Sequence, residues 1–315
     1  MKQSVIFLIS LLSLGSLAPL LGEESMFSEK VEFFDSMEWD KEKNKHLMHQ
    51  YAPSSENLRR LLFFKALYDK NNFFIRPAVY ETKIPKIIHQ IWLGPKTPPA
   101  IFKESQESLK NYHPTWEYKL WTDADIPSLQ LENQNFYDLS DNYGEKSDIL
   151  RYEILYRFGG VYADVDLIAL RPFDVLSQYD LWTGIEPLNC SPAGLNNAII
   201  ASMPYHPILQ SCIEGIKKSW YESTNIFFRA GPRHFTKHFL AFAQENSDNI
   251  IALPKSFFYP IDCSIVLDRS LIRSESFGVH LWEGSWWTTP KEKHKQKSPR
   301  LNESRKSLLR ARKYK

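Results

Sequence analysis

The hydrophobic pattern of this chain changes rhythm at identifiable points. Val5 to Leu14 is mostly apolar and uncharged; Lys2 precedes it and Ser16-Leu17-Ala18 follows. A positive start, an apolar run and small residues are the order of a targeting segment. Pro19 argues against efficient cleavage after Ala18. The apolar stretch up to Leu21 also approaches the ~20 residues that span a bilayer. A cleaved signal peptide and an uncleaved signal-anchor over residues 1–22 both stay open, with the anchor preferred. Either way the body is expected to be exported or membrane-anchored. Residues 23–82 alternate acids with Lys and read as a stem or helical appendage, with Phe33 and Phe34 its first apolar pair. Within it, Ser54-Ser55-Glu56 predicts a capped helix through about Tyr68, with Leu58, Leu61, Leu62 and Leu67 on or near one side.

From Lys83 onward the pattern alternates between strand and helix. Ile84–Trp92 reads as a strand that ends at Gly94-Pro95. A helix over 98–112 closes at His113-Pro114, and Glu117–Trp121 reads as a second strand. A helix over 145–158, strands over 161–165 and Leu181–Ile185, and an apolar strand from Ala198 follow. Two more helices open at His206-Pro207 and after Gly231-Pro232. The first carries Ile208, Cys212, Ile213, Ile216 and Trp220; the second carries Phe235, Phe239 and Phe242. Such alternation predicts an α/β fold with a mostly parallel central sheet. The catalytic body is expected at 83–290, with a tail over 291–315.

The chemistry concentrates in 145–170, EKSDILRYEILYRFGGVYADVDLIAL. Ile149, Tyr152, Leu155 and Tyr156 have helical spacing, and Asp148 and Arg151 share a helix face. Gly159-Gly160 then stops the helix, since glycine accepts the left-handed backbone of such a cap at little cost. Val161, Tyr162 and Ala163 read as a short buried strand ending in Asp164-Val165-Asp166. Acids two apart on an extended backbone point the same way. Two carboxylates at a buried strand end repel each other unless something holds them. A hard divalent cation shared with substrate phosphates does so, and ligands of open α/β sheets bind outside such ends. A second pair, Asp123 and Asp125, is read as turn chemistry.

The run SDILRYEILYRFGGVYADVD resembles the core of the DXD-containing sugar-transferase family. Its members include fungal initiating α-1,6-mannosyltransferases, their bacterial relatives and, more distantly, the large clostridial glucosylating toxins. Ser-Asp-x-x-Arg, Gly-Gly-x-Tyr and Asp-x-Asp carry the likeness, in order and at family spacing. IPKIIHQIW at 84–92 is also family-like. The resemblance implies a Rossmann-like GT-A fold, a nucleotide-sugar donor, a divalent metal (Mn²⁺, or Mg²⁺) and retention of anomeric configuration. It implies that Asp166 is the more direct metal ligand, while Asp164 reaches ribose or metal-bound water. Arg151 would bind sugar or diphosphate oxygens through its planar fork, and Asp148 would orient the sugar ring. Trp92 would stack on the base, or else fill the core. Asn197 would lie near the donor sugar, with turn chemistry at 194–196 as the alternative.

His280, followed closely by Ser285-Trp286, is also family-like, and the resemblance makes it the candidate third metal ligand, with a structural histidine as the alternative; imidazole suits Mn²⁺ more than Mg²⁺. Glu283 and Ser285 are its rivals as oxygen donors. Ser285 and Trp286 are expected against the diphosphate. His89 and His206 read as structural. Cys190, Cys212 and Cys263 allow one disulfide and have no metal-like spacing.

Net charge changes the picture only at the C-terminus. The whole chain is +2, yet residues 291–315 hold 11 Lys and Arg against two Glu. A basic tail on an acidic body is expected to meet a membrane surface. Nucleic acid is not expected, because no nucleic-acid motif accompanies the tail. The expected partners are therefore a nucleotide-sugar donor, a glycan, lipid or protein acceptor, and a membrane. No P-loop, Ser-His-Asp arrangement or internal repeat is present. Two other function classes stay open: a non-catalytic sugar- or membrane-binding protein on the same fold, and an Asp-x-Asp phosphatase or phosphotransferase. The latter fits poorly, because Leu167 and Ile168 stand where a small hydroxyl residue would follow the acids.

Overall fold

A computed structural model describes residues 31–40, 45–75, 81–190, 193–263 and 269–285. The expected targeting segment over 1–22, Trp286 and the basic tail lie outside the described residues. In chain order the strands are β1 (Ile87–Ile91), β2 (Glu117–Trp121), β3 (Gly160–Ala163), β4 (Leu167–Ala169), β5 (Leu181–Ile185), β6 (Leu195–Ser202), β7 (Ile250–Leu253) and β8 (Gly278–His280). The helices are α1 (Phe33–Ser36), α2 (Glu56–Asn71), α3 (Ala100–Tyr112), α4 (Ile126–Leu129), α5 (Gln134–Leu139), α6 (Tyr143–Phe158), α7 (Pro207–Glu222), α8 (Ile226–Arg229) and α9 (Pro232–Ala243).

Six strands form the central sheet in the order β2-β1-β3-β6-β5-β7. β6 runs antiparallel to both its neighbours, β3 and β5; the β1–β2, β1–β3 and β5–β7 pairs are parallel. The α/β class and the mostly parallel sheet expected from the alternation are therefore observed. β3 and β6 are buried along their whole length, which is why Val161–Ala163 and Ala198–Ala201 read as apolar runs without polar alternation.

The helical segment before the sheet is packed into the body. Ser55 caps α2 by accepting the Leu58 N–H at 3.1 Å, as its sequence predicts. The buried face is Leu61, Phe64, Leu67, Tyr68 and Asn71. Leu62, expected near that face, is 46% exposed, because i+3 and i+7 from Leu61 select Phe64 and Tyr68 instead. The Asn71 amide donates to the Ile250 carbonyl on β7 at 3.0 Å, and Tyr51 Oη accepts the Ala193 N–H at 3.0 Å.

The stop of α6 and the start of β3 show why both glycines are needed. Gly159 has φ +63° and ψ −156°, a region open essentially to glycine alone, not the left-handed helical cap first expected. Gly160 has φ +92°, and a Cβ there would stand 2.6 Å from the Ile87 carbonyl oxygen. Buried His89 closes the same corner. Its Nε2–H donates to the Gly159 carbonyl at 2.9 Å, while Nδ1 accepts Trp121 Nε1–H at 3.1 Å. Burial lowers its pKa to about 4, so it is a neutral structural residue. Gly160→Ala is expected to cost about 2 kcal/mol in backbone strain alone, seen as a melting temperature lower by roughly 5 °C.

Candidate active site

The carboxyl ends of β1, β3 and β5 and the start of β6 open onto a cavity of about 610 Å³. That size and placement suit a nucleotide-sugar-sized ligand. Asp164 follows β3 directly, and its N–H donates to the Ala198 carbonyl of β6 at 2.8 Å. The chain then turns: the Leu167 N–H returns to the Asp164 carbonyl at 3.1 Å. The strand thus ends at Ala163, and the two acids are aimed by a turn, not by the extended backbone first expected. Asp166 is anchored by the Leu281 N–H to its carbonyl at 3.1 Å and by the Glu283 N–H to its Oδ2 at 2.7 Å.

The antiparallel pairing of β4 with β8 sets Leu167 opposite His280. His280 Nε2 comes to 3.2 Å from Asp166 Oδ1 and 3.7 Å from Asp164 Oδ2. One ligand atom from each of the three lies within 4.8 Å of the others. Octahedral ligands about 2.1 Å from a cation stand roughly 3 Å apart, so this donor set fits a divalent ion. Burial opposes the imidazolium, but Asp166 and Asp164 outweigh it and raise the His280 pKa to about 10. Burial likewise opposes the Asp166 charge, and His280 overrides it to lower that pKa. The His280 ring packs edge-on to Trp282 at 4.6 Å. Trp282 holds φ +54°, and its indole N–H donates to the Ile261 carbonyl at 2.8 Å.

The other wall comes from α6. Asp148 Oδ1 pairs with Arg151 Nη2 at 2.9 Å and accepts the Asn197 amide at 2.8 Å. Burial raises the Asp148 pKa to about 7, against the pull of Arg151. The Arg151 guanidinium is buried and lies 4.2 Å above the Tyr162 ring. Its donors turn to Ser147 O and Oγ, Asn197 O, Asp148 and Asp164. Burial would lower its pKa, but Tyr162, Asp148 and Asp164 raise it overall, so the charge is secure. In this arrangement Arg151 organises the two acids and Asn197. Direct contact with a ligand, as the resemblance implies, would require it to give up one of these bonds.

Trp92 lines the cavity just past β1, half-buried, with its N–H on the Lys96 carbonyl at 2.9 Å and its ring stacked on Phe102. Asn197 and Ser285 also line it, as does Glu283. Trp286 lies outside the described residues. Asp125 accepts the Thr122 N–H and Oγ1–H and pairs with Lys119, which is turn chemistry; Asp123 instead accepts the Gly94 N–H at 2.7 Å across the fold. His206 caps α7 through Nδ1. Cys190 and Cys263 form a disulfide on the cavity wall, and Cys212 is free and buried.

Sequence reasoning assigned no role to Tyr162, Tyr152 or Glu186. Tyr162 donates to Asp164 Oδ1 at 2.6 Å, and Tyr152 Oη accepts the Asn197 amide at 3.3 Å. Both tyrosines stood in the helix–strand motif, but as apolar positions. Glu186 is a single acid after β5 with no pattern to mark it.

Residues 99–182 match a family model described as the glycosyltransferase sugar-binding region containing DXD motif. The chain is 29% identical over 215 residues to inositol phosphoceramide mannosyltransferase 2 of Schizosaccharomyces pombe, covering 66% of this chain and 59% of that protein. It is 32% identical over 203 residues to inositol phosphoceramide mannosyltransferase 1 of the same yeast, covering 61% and 62%. The chain thus spans about three fifths of the length of these curated relatives. Among solved structures, the PaToxG glycosyltransferase aligns with a TM-score of 0.45 at 20% identity, over 60% of this chain and 80% of that one. The motif run from Ser147 to Asp166 falls inside the matched region, so the likeness of this chain to DXD-containing sugar transferases, read from its sequence, is borne out.

Proposed function

We propose that this chain is a metal-dependent, retaining glycosyltransferase of the GT-A type. It moves a hexose from a nucleoside-diphosphate sugar to a glycan, lipid or protein acceptor. The observation that carries this is the convergence of Asp164, Asp166 and His280 beside Asp148 and Asn197 in one cavity. The names of the two yeast relatives favour mannose as the hexose and put a lipid first among the acceptors to test.

Asp164, Asp166 and His280 would hold the ion, and the imidazole favours Mn²⁺ over Mg²⁺. When bound, it supplies Lewis-acid neutralisation of the charge that develops on the departing diphosphate. Asp148 and Asn197 hold the hexose hydroxyls, Trp92 offers its face to the base, and Arg151 bridges Asp148 and Asp164. Ser285 and Trp286 are assigned to the diphosphate side. The C1–O bond to the diphosphate breaks while an acceptor oxygen bonds to C1 on the same face. The acceptor's proton leaves on the diphosphate oxygen. No carboxylate is assigned as a nucleophile. Export through residues 1–22 and membrane attraction of the 291–315 tail belong to the same reading. They would put the enzyme in a Golgi-type lumen of a eukaryote, or in the envelope or medium of a bacterium. Among the described residues no helix is long and apolar enough to cross a membrane.

The test is nucleotide-sugar turnover by the chain across GDP-mannose, UDP-galactose, UDP-glucose and UDP-N-acetylglucosamine, with Mn²⁺ and with EDTA. One donor should be turned over, and EDTA or the Asp164→Asn/Asp166→Asn pair should stop it. Absence of metal-dependent nucleotide binding by calorimetry would favour a binding protein instead. The Asp148 pKa adds a pH signature. A carboxyl raised to about 7 is protonated below that pH and a full acceptor above it. The donor KM should therefore fall from pH 6 to 8, and Asp148→Asn should flatten that slope while raising KM throughout.

A further inference from the structure

The cavity extends past the Asp164–Asp166–His280 cluster to a second group of polar side chains to which the donor reading assigns no role. Glu186 follows β5 immediately, and its N–H donates to the Gly194 carbonyl at 2.9 Å. Across the sheet, β6 separates β5 from β3. Strands lie about 4.8 Å apart, so the line of β5, which Glu186 follows, runs roughly 10 Å from the line of β3, which Asp164 follows. One hexose fits in that interval.

Glu186 is 4% exposed, yet it lines the cavity. Its Oε1 accepts the Asn196 amide at 3.0 Å, and its Oε2 pairs with Arg233 Nη1 at 3.3 Å. Asn196 is fixed in turn, with Oδ1 on the Ala198 N–H at 2.8 Å. Arg233, in the first turn of α9, is more open than its partner, at 28% side-chain exposure. The loop between Glu186 and Cys190 is held from behind. Asn189 donates to Asp262 at 2.7 Å, and Cys190 is bonded to Cys263. The aromatic rings of Phe227 and Trp282 line the same space.

We infer that Glu186, Arg233 and Asn196 form the acceptor subsite, and that the acceptor presents a neutral ring polyol there. This rests on the transferase reading above. A carboxylate beside a guanidinium offers an acceptor and a donor a few ångströms apart, which matches two adjacent ring hydroxyls. The two charges cancel locally, so the pair suits a neutral ligand over an anionic one. Aromatic faces pack against the C–H face of such a ring. Glu186 and Arg233 hold the ring so that one remaining hydroxyl points toward the hexose C1.

The experiment uses the chain with Mn²⁺ and whichever nucleotide sugar it binds. Release of nucleoside diphosphate is measured with myo-inositol, methyl α-mannoside, a serine-containing peptide and a simple alkanol. A ring polyol should accelerate release where the peptide and alkanol do not. Glu186→Gln and Arg233→Met should each raise the polyol KM about tenfold or more, the worth of a charge-assisted hydrogen bond. Donor affinity by calorimetry should move by less than about threefold, and a retained cooperative melt above the assay temperature should show that each variant folds. Release accelerated by the peptide or alkanol but by no polyol would overturn the inference. So would a Glu186→Gln variant that loses donor affinity and keeps its polyol KM. Failure of the wild-type chain to bind any nucleotide sugar would instead remove the transferase reading, and this inference with it.

Discussion

Asp166→Asn is expected to lower metal-dependent donor turnover by about a thousandfold, the loss seen when a preorganised electrostatic group is removed from a transition state. Asp164→Asn is expected to cost less. The difference follows from their surroundings. Asp166 is 5% exposed, and its two oxygens face His280 and the Glu283 N–H. An amide in its place keeps one acceptor oxygen but offers N–H donors toward His280, so it loses the charge and turns a donor on the imidazole. Asp164 is 29% exposed and already shares Oδ1 with Tyr162 and Arg151. An asparagine there still accepts from Tyr162, and water reaches the site to make up part of a coordination shell. Single-turnover rates with Mn²⁺, beside calorimetric titration of the metal alone, separate the two. Equal losses would mean that the two acids hold the ion alike, and metal binding that survives Asp166→Asn would show that the ion is held elsewhere.

Much of this centre was legible because its determinants are local. The helix with Asp148 and Arg151 on one face, the double glycine and the acids after a short strand need only neighbouring residues to be read. His280 is different. It reaches the acids through the pairing of β4 with β8, a short two-stranded sheet far apart in sequence. Its nearest residues, Val279 and Leu281, look like any apolar strand, so only the family resemblance pointed to it. The turn at Asp164–Leu167 was hidden for a related reason. Alternation suggests a continuing strand, and the bond from the Leu167 N–H to the Asp164 carbonyl that turns the chain leaves no mark on the residue types. The reversal of β6 was equally silent, because a strand buried on both faces carries no direction in its composition. Glu186 became visible only when the sheet set its end beside Asn196 and α9 brought Arg233 to it.

Arg229→Met is expected to destabilise the fold by about 3–5 kcal/mol, the cost of stranding a buried charge. That corresponds to a melting temperature lower by on the order of 10 °C. Glu145 lies in the first turn of α6 and is fully buried. Its carboxylate takes both Arg229 Nε–H and Nη2–H at 2.6 Å, a two-point pairing, and the Ser140 hydroxyl at 2.6 Å. Arg229 also lies 4.0 Å above the Trp220 ring, so methionine retains packing there but not the charge. The positive end of α6 offsets part of the stranded charge, yet one hydroxyl and a helix end cannot replace a guanidinium. Glu145→Gln/Arg229→Met removes both charges and should recover much of the loss, which a double-mutant cycle on melting data would read directly. The same pair anchors α8, whose Ile226, Phe227 and Phe228 line the cavity. The single variant should therefore also raise substrate KM well below its melting temperature. A variant that melts normally, or a double variant no more stable than the single, would mean that the burial of Glu145 costs the fold little without its partner.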